Sequence, residues 1–195
     1  MKHRVVITGM GVVAPNAHGL IDFERALREG RSGVRFFPRL EELKFGCQIG
    51  GAPEGIDEIL TSYFDEETLL SMNQNIGYIS VSAVDAWRDA GFEVPGDGDP
   101  VDWETGAILG CGIGGMDTIT ETIVPMVNGG KTRRMGSTVV ERVMNSGTSA
   151  RVGGLLALGN QVTSNSSACS TGTEAIVNAV WRIRTGLAKR MLAGG

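Results

Sequence analysis

The chain has 195 residues, a net charge of −4 and 42% hydrophobic residues, which is typical of a globular domain with its own core. The slight negative charge gives no electrostatic reason to expect nucleic acid as a partner. No window approaches the ~18 consecutive apolar residues of a membrane-spanning helix. Glycine is the outlier, with 29 residues where average use is about 7%, and this excess predicts many tight turns and close backbone contacts.

The first half of the chain predicts strands and helices separated by an irregular stretch. Apolar side chains at helical spacing, stopped by Gly91, predict one long helix. The predicted elements are a strand at residues 4–8, a turn at 9–19, a helix at 21–29, an irregular segment at 31–64 with a strand-like piece at 45–49, and a helix at 66–90.

The second half predicts a regular alternation of strand and helix. In order, it predicts a strand at residues 105–109, a helix at 116–128 interrupted or ended near Pro125, one or two helices within 137–158, a strand at 161–166, a helix at 173–187 and a strand at 190–193. Alternation of this kind indicates an α/β fold with a largely parallel central sheet. No linker or domain boundary is evident.

Cys169 is the strongest candidate for a reactive side chain. It lies in residues 164–172, Ser-Asn-Ser-Ser-Ala-Cys-Ser-Thr-Gly, between a predicted strand and a predicted helix. A sharp turn between strand and helix presents a nucleophile, and the N-terminal end of a helix stabilises its negative charge. The alternative is a buried structural cysteine, because free cysteine is among the most buried residue types.

The cysteines also bear on compartment and metal binding. Cys47, Cys111 and Cys169 have no CxxC or Cys/His spacing, so we expect no metal site. Three unpaired cysteines favour a reduced, cytoplasmic setting. We interpret Cys47 and Cys111 as small buried apolar residues.

Four segments, in order, resemble the β-ketoacyl-acyl-carrier-protein synthases, the condensing enzymes of fatty acid and polyketide synthesis. Ser-Ser-Ala-Cys-Ser-Thr-Gly at 166–172 resembles their active-site signature. The other three are residues 4–15, which resemble the first strand and glycine-rich turn, residues 106–115, which resemble the strand and turn beside the acyl pocket, and residues 190–195, which resemble the strand after the nucleophile's helix.

The resemblance implies the thiolase-like fold, in which two similar halves form five layers. Residues 1–195 would be the N-terminal half of a ketosynthase domain, with the C-terminal half absent from this chain. The helix after Cys169 would be buried between the two sheets, which suits its content of small and aliphatic residues.

The resemblance also implies a chemistry, partners and site residues. Cys169 would take an acyl group from acyl carrier protein, and a malonyl unit would then extend it. Substrates would arrive on the carrier's phosphopantetheine arm, so no cofactor is expected. Gly112 and Ile113 would line the acyl pocket, and Met144 would line the partner subunit's pocket in a homodimer, or in a heterodimer with a related subunit. Ordinary core positions are the alternative for Ile113 and Met144.

Two features depart from the family's pattern. The family uses two histidines and a lysine from its second half, whereas the only histidines here are His3 and His18, where no family motif places a catalytic histidine. Asn165 stands four residues before Cys169, at a position that is usually apolar. A polar side chain there must find hydrogen-bond partners.

Four further readings are considered. Residues 9–14 and 110–115 resemble dinucleotide-binding glycine motifs, which need an acidic residue at the end of a strand about 20 residues later. That position falls near Glu29, inside a predicted helix, in the first case and in the basic segment 131–134 in the second, so neither context fits. A non-catalytic chain-length-factor-like subunit would typically lack Cys169, and a thiolase-type acyltransferase would differ around it. The densest basic cluster, Lys131, Arg133 and Arg134, is a candidate surface for the acidic carrier protein or simply a solvated loop.

Overall fold

A computed structural model describes residues 4–195 of the chain. The strands are β1 Val13–Ala14, β2 Ala17–His18, β3 Val34–Phe36, β4 Ile49–Gly51, β5 Thr105–Leu109, β6 Val162–Thr163 and β7 Arg190–Gly194. The α-helices are α1 Leu20–Arg28, α2 Pro38–Glu42, α3 Ile56–Tyr63, α4 Glu66–Leu70, α5 Gln74–Asp89, α6 Met116–Thr118, α7 Val124–Asn128, α8 Thr138–Val143, α9 Gly147–Leu155 and α10 Thr171–Arg184. A π-helix spans Ile119–Ile123, and 3₁₀ helices span Thr132–Arg134 and Ala168–Ser170.

A three-stranded parallel sheet in the order β6-β5-β7 forms the centre of the fold. The chain passes from β5 through α9 to β6, and then back through α10 to β7. Because right-handed crossovers in opposite directions place their helices on opposite faces, α9 and α10 cover the two sides of the sheet. The predicted α/β class with a parallel sheet is confirmed.

The main core lies between the sheet, α9 and α5. Ala107 and Leu109 of β5 pack with Val152 of α9, with Leu156 directly after that helix, and with Trp87 of α5. α10 packs along β5 and β7 and buries Ala175 and Ala179. No helix formed by residues 4–195 is both long and apolar enough to cross a membrane.

The predicted strand at residues 4–8 is wrong. This segment pairs with no strand among the described residues, and Val6 and Ile7 are exposed. The chain that follows runs against α5 instead, because Gly9 and Gly11 have no side chains. A Cβ on Gly11 would lie 1.9 Å from the backbone oxygen of Ser82. The backbone N–H of Met10 donates to the Asp89 carboxylate at 2.9 Å.

The expectation of an irregular segment at residues 31–64 is also wrong. Two short antiparallel strands, β3 and β4, pair there with Val34 opposite Gly51, and α2 and α3 form on either side of β4. The strand-like piece expected at residues 45–49 begins only at Ile49. These elements are short and have mostly exposed side chains, so the sequence carries little periodicity to reveal them.

The long helix predicted at residues 66–90 is divided into α4 and α5. Asn73 causes the break, since its side-chain oxygen accepts from the backbone N–H of Ile76 at 2.7 Å and so begins a new helix. The helix predicted at 116–128 does reach Asn128, but it contains the π-helical segment, and Pro125 falls in the first turn of α7. Residues 137–158 form two helices, α8 and α9.

Replacing Asn73 by alanine should lower the free energy of unfolding by about 2 kcal/mol, because the buried amide caps α5 and also donates to the backbone oxygen of Arg142. The matched control is Asp65→Ala, which removes the exposed cap of α4 and should cost about 1 kcal/mol or less. Urea unfolding of both variants gives the comparison. Equal losses would contradict the role assigned to the buried amide.

Candidate functional site

Cys169 lies on a sharp turn between β6 and α10. Residues 164–170, here called the cysteine turn, leave the sheet after Thr163 and close with a 3₁₀ helix. Ala168 has a left-handed backbone with φ of 51°, a conformation that strains a residue with a Cβ. Cys169 is exposed directly before α10. Its N–H is among the first donors of the 3₁₀ helix, which have no intrahelical acceptor.

Thr171 closes the cysteine turn. Its hydroxyl accepts from the backbone N–H of Ser167 at 2.9 Å and donates to the backbone oxygen of Ala168 at 2.8 Å. The side chain is only 3% exposed. One buried hydroxyl therefore binds the backbone on both sides of the strained peptide and holds Cys169 outward.

Glu174, on the first turns of α10, binds the same segment from its exposed side. Its carboxylate accepts from the hydroxyl of Ser167 and, at 3.3 Å, from the side-chain amide of Asn165. These bonds, the one from Ser167 first, lower the pKa of Glu174 below its usual value. The Asn165 amide also donates to the backbone oxygen of Thr171 at 2.9 Å. The departure from an apolar residue at position 165 is thus compensated by partners on α10.

Close backbone contact joins the cysteine turn to the end of β5. A Cβ on Gly110 would lie 2.0 Å from the backbone oxygen of Asn165 and 2.6 Å from the Thr171 methyl group. Only glycine fits this position. The N–H of Gly110 donates to the oxygen of Gly194 at 3.1 Å, so the ends of β5 and β7 and the cysteine turn all meet at Gly110.

The structure separates the three predicted substrate-binding residues. Gly112 lies against the cysteine turn, where its backbone oxygen accepts from the hydroxyl of Ser166 at 3.2 Å. Ile113 is 74% exposed. Met144 is 50% exposed and lines a cavity of about 580 Å³ together with Ile76 and Arg151. Neither Ile113 nor Met144 is a core residue within the described chain, and their role in binding an acyl chain stays a prediction.

A second cavity, of about 340 Å³, borders the cysteine turn. It lies between the start of α9 and the segment that continues β6, from Val162 to Ser166. We call it the hydroxyl cavity, because seven of its nine lining residues carry a hydroxyl or side-chain amide: Asn145, Ser146, Ser149, Thr163, Ser164, Asn165 and Ser166.

The remaining candidate side chains lie elsewhere. His18 Nε2 lies 3.2 Å from the Asp85 carboxylate, which also accepts from the Tyr63 hydroxyl at 2.6 Å. Burial and the Asp85 bond raise the pKa of Tyr63 to about 12. His3 lies outside the described residues.

Burial raises the pKa of the Cys111 thiol, whereas Cys47 is exposed, contrary to its interpretation as a buried residue.

Neither the basic cluster nor a metal site adds to the reactive centre. Lys131, Arg133 and Arg134 are exposed around the short 3₁₀ helix after α7. Within residues 4–195, no three His, Cys, Asp or Glu side chains are grouped closely enough to hold a metal ion.

Sequence reasoning missed Thr171 and Glu174. Their spacing, Thr-x-x-Glu at the start of a helix, is that of a capping box, and this signal was available. The structure uses the pair differently, because both side chains bind the cysteine turn rather than each other's backbone.

Comparison with known proteins gives a consistent result. Residues 2–195 match the family described as β-ketoacyl synthase, N-terminal domain. The chain is 30% identical over 194 residues to 3-oxoacyl-[acyl-carrier-protein] synthase 2 of Coxiella burnetii, covering all of this chain and 45% of that protein. The chain therefore spans about half the length of the curated relatives it matches.

Solved structures agree. A β-ketoacyl synthase from Burkholderia phymatum is 28% identical with a TM-score of 0.80, over 96% of this chain and 45% of that one. A ketosynthase structure described as type II polyketide synthase acyl-carrier protein in complex with its ketosynthase bound to the hexaketide is 25% identical, also with a TM-score of 0.80. That match covers 100% of this chain and 45% of the other.

Gly110→Ala should destabilise the protein by about 3 kcal/mol, because the new methyl group would overlap the backbone of the cysteine turn. Gly154→Ala is the control, since its methyl group would meet nothing within 4 Å on α9. That change should be neutral or stabilise by up to about 1 kcal/mol through helix propensity. Urea unfolding measures both. Similar stability of the two variants would contradict the contact at Gly110.

Glu174→Gln should lower stability near neutral pH and matter less in acid. A carboxylate whose pKa is lowered in the folded protein stabilises above its unfolded pKa, about 4.3, and this stabilisation is lost as the pH falls through the folded value. The difference between the urea midpoints of the variant and the unchanged protein should therefore shrink from pH 7 to pH 3. Glu121→Gln, at an exposed position outside the site, should show no such trend. A difference of equal size at both pH values would contradict this role of Glu174.

Proposed function

Because the chain belongs to the β-ketoacyl synthase family, as its N-terminal domain, we propose that it carries the acyl-accepting half of a 3-oxoacyl-[acyl-carrier-protein] synthase. One observation supports this most directly. Cys169 is exposed on a strained turn at the start of α10, where a thiolate benefits from the positive end of the helix and an incoming thioester can reach the sulfur.

In the first half-reaction, the Cys169 sulfur gives up its proton and attacks the carbonyl carbon of an acyl thioester. The oxygen of the tetrahedral intermediate carries the negative charge, and the N–H of Cys169 would donate one hydrogen bond to it. The bond from carbon to the carrier's sulfur then breaks. The acyl group remains on Cys169 as a new thioester, and the carrier's thiol takes up the proton.

In the second half-reaction, a malonyl thioester loses CO₂, and the resulting enolate carbon attacks the acyl carbonyl on Cys169. A carbon–carbon bond forms and the bond to Cys169 breaks, which releases the thiolate and a 3-oxoacyl thioester two carbons longer. In the family, two histidines of the C-terminal half assist this step. His18 is paired with Asp85, so we assign the second step to a complementary half.

We propose acyl carrier protein as the partner, with substrates on its phosphopantetheine arm and no further cofactor. The complex described for the polyketide ketosynthase relative supports this partner. The exposed basic cluster of Lys131, Arg133 and Arg134 offers complementary charge to an acidic carrier. A homodimer, or a heterodimer with a related subunit, would bring Met144 to the acyl pocket of the partner, in keeping with its exposure.

A non-catalytic subunit of the chain-length-factor kind is the second candidate. Such a subunit has no use for a nucleophile, whereas this chain holds Cys169 outward with a strained Ala168 and a buried Thr171 hydroxyl. Strain of this kind persists where the surrounding structure enforces it, commonly at active sites. The cysteine turn therefore favours the catalytic reading.

The protein as encoded by its gene, incubated with hexanoyl-acyl-carrier protein, should gain the mass of one hexanoyl group on the peptide that contains Cys169. Cys169→Ala should abolish this gain. Cys47→Ala, which removes the other exposed thiol, should leave it intact. Intact-mass and peptide mass spectrometry provide the measurement.

Acylation that persists in Cys169→Ala, or no acylation in the unchanged protein, would overturn the proposal. A preference for coenzyme A thioesters over carrier-bound donors would instead favour a thiolase-type acyltransferase.

A further inference from the structure

We propose that the hydroxyl of Thr171 is a positioning group for acyl transfer, because it sets the direction of the Cys169 N–H that would donate to the oxyanion. The inference rests on the proposed function, since it adds a residue to the first half-reaction. It is carried by the two hydrogen bonds of one buried hydroxyl and by the planarity of the peptide that joins Ala168 to Cys169.

The peptide between Ala168 and Cys169 links the two groups directly. Its carbonyl oxygen belongs to Ala168 and its N–H belongs to Cys169. The bond is trans, so the oxygen and the hydrogen lie in one plane and point in opposite directions. A contact that fixes the Ala168 oxygen therefore fixes the Cys169 N–H as well.

Thr171 holds that oxygen from the side of α10. Its hydroxyl accepts from the backbone N–H of Ser167 at 2.9 Å, which leaves the hydroxyl proton for the Ala168 oxygen, 2.8 Å away. The backbone N–H of Thr171 donates to the same oxygen. With the Ala168 oxygen held toward α10, the Cys169 N–H points away from the helix. No acceptor within residues 4–195 binds this N–H, so it is available to an oxyanion.

The same hydrogen bond makes the Cys169 N–H a better donor. Hydrogen bonds in a chain polarise one another, so a hydroxyl that donates to the Ala168 oxygen increases the positive charge on the N–H of the same peptide. Ala168 also has a strained backbone, with φ of 51°. A rotation of Ala168 toward a relaxed conformation would turn the peptide. The Thr171 hydroxyl opposes this rotation, because it binds the backbone on both sides of Ala168.

The methyl group of Thr171 packs where β5 and β7 end. A Cβ on Gly110 would lie 2.6 Å from it, and a Cβ on Gly195 would lie 3.1 Å from it. Thr171→Val removes the hydroxyl and keeps a methyl group at this junction, whereas Thr171→Ser keeps the hydroxyl and removes the methyl group. The two substitutions therefore separate positioning from packing.

The test measures single-turnover acylation of Cys169 by hexanoyl-acyl-carrier protein in the protein as encoded by its gene. Thr171→Val should lower the maximal rate about tenfold or more. This is less than the roughly 10²–10³-fold loss caused by removing a whole oxyanion donor, because the Thr171 N–H still holds the Ala168 oxygen. The donor concentration that gives half the maximal rate should not change, since only the transition state needs this N–H.

Thr171→Ser should show the opposite pattern. Its maximal rate should stay within about twofold of the unchanged protein, because the hydroxyl keeps both hydrogen bonds. Its urea midpoint should fall, because the methyl group no longer fills the junction of β5 and β7.

Alkylation of Cys169 by iodoacetamide distinguishes this role from a general effect on the turn. The thiolate displaces iodide from a CH₂ carbon, so no oxyanion forms and no N–H donor is needed. Thr171→Val should therefore be alkylated at the rate of the unchanged protein, measured on the peptide that contains Cys169. Thr185→Val, which removes an exposed hydroxyl at the other end of α10, is the control and should leave both rates unchanged.

A second pair of variants gives the same contrast if Thr171→Val does not fold. Thr171→Ser and Thr171→Ala both lack the methyl group and differ only in the hydroxyl. The serine variant should be acylated about tenfold faster than the alanine variant or more, and the two should be alkylated at equal rates.

The outcomes separate the inference from the proposed function. Equal acylation rates with and without the hydroxyl would overturn the inference and leave the proposed function in place. An equal loss of acylation and alkylation would also overturn it, because the hydroxyl would then act on the thiol or on the fold of the turn. A higher half-saturating donor concentration at an unchanged maximal rate would assign Thr171 to donor binding instead. No acylation of Cys169 in the unchanged protein would overturn the proposed function itself.

Discussion

The absence of a side chain at Gly110 is the constraint on which the site depends. β5 ends there against the backbone of Asn165 on one side and of Gly194 on the other. A Cβ on Gly172, in the first turn of α10, would lie 3.0 Å from the backbone oxygen of Gly195. The carboxyl ends of β5 and β7 and the start of α10 therefore meet at backbone distance. This close approach directs the chain after β6 into a tight turn, and Cys169 lies on the outer side of that turn.

Polar contacts then hold the turn, where apolar packing would be less specific. Ala168 is strained, and Thr171 and Glu174 bind the backbone and side chains around it. Asn165 also holds the turn, because its side-chain amide donates to the backbone oxygen of Thr171 and to the carboxylate of Glu174. Its side-chain oxygen is buried without a partner among the described residues. A buried unsatisfied oxygen is unfavourable, and the bonds from its amide offset part of this. The polar character of position 165 thus belongs to the same set of groups as the hydroxyl cavity that it borders.

Prediction from sequence succeeded where local pattern and tertiary environment agree. β5, β7 and α10 have apolar content, turn residues and lengths that point to one structure, and the motif around Cys169 placed it between strand and helix. The strand expected at residues 4–8 failed for a different reason. A strand forms only where a neighbouring strand is available for pairing. The sequence of residues 4–8 does not show that the residues after them pack against α5. The break at Asn73 depends on a buried amide that also reaches Arg142, a contact 69 residues away in sequence.

The exposed side of α10 has an expected occupant. α10 exposes Ile176, Val177 and Trp181 on the side away from the sheet, and large apolar side chains together on one helix indicate a surface that another protein element covers. A complementary half that covers α10 would also exclude water from the region next to Cys169, because α10 begins directly after the cysteine turn. Exclusion of water would protect a thioester on Cys169 from hydrolysis. The same apolar face of α10 therefore links the completion of the fold to the chemistry expected at Cys169.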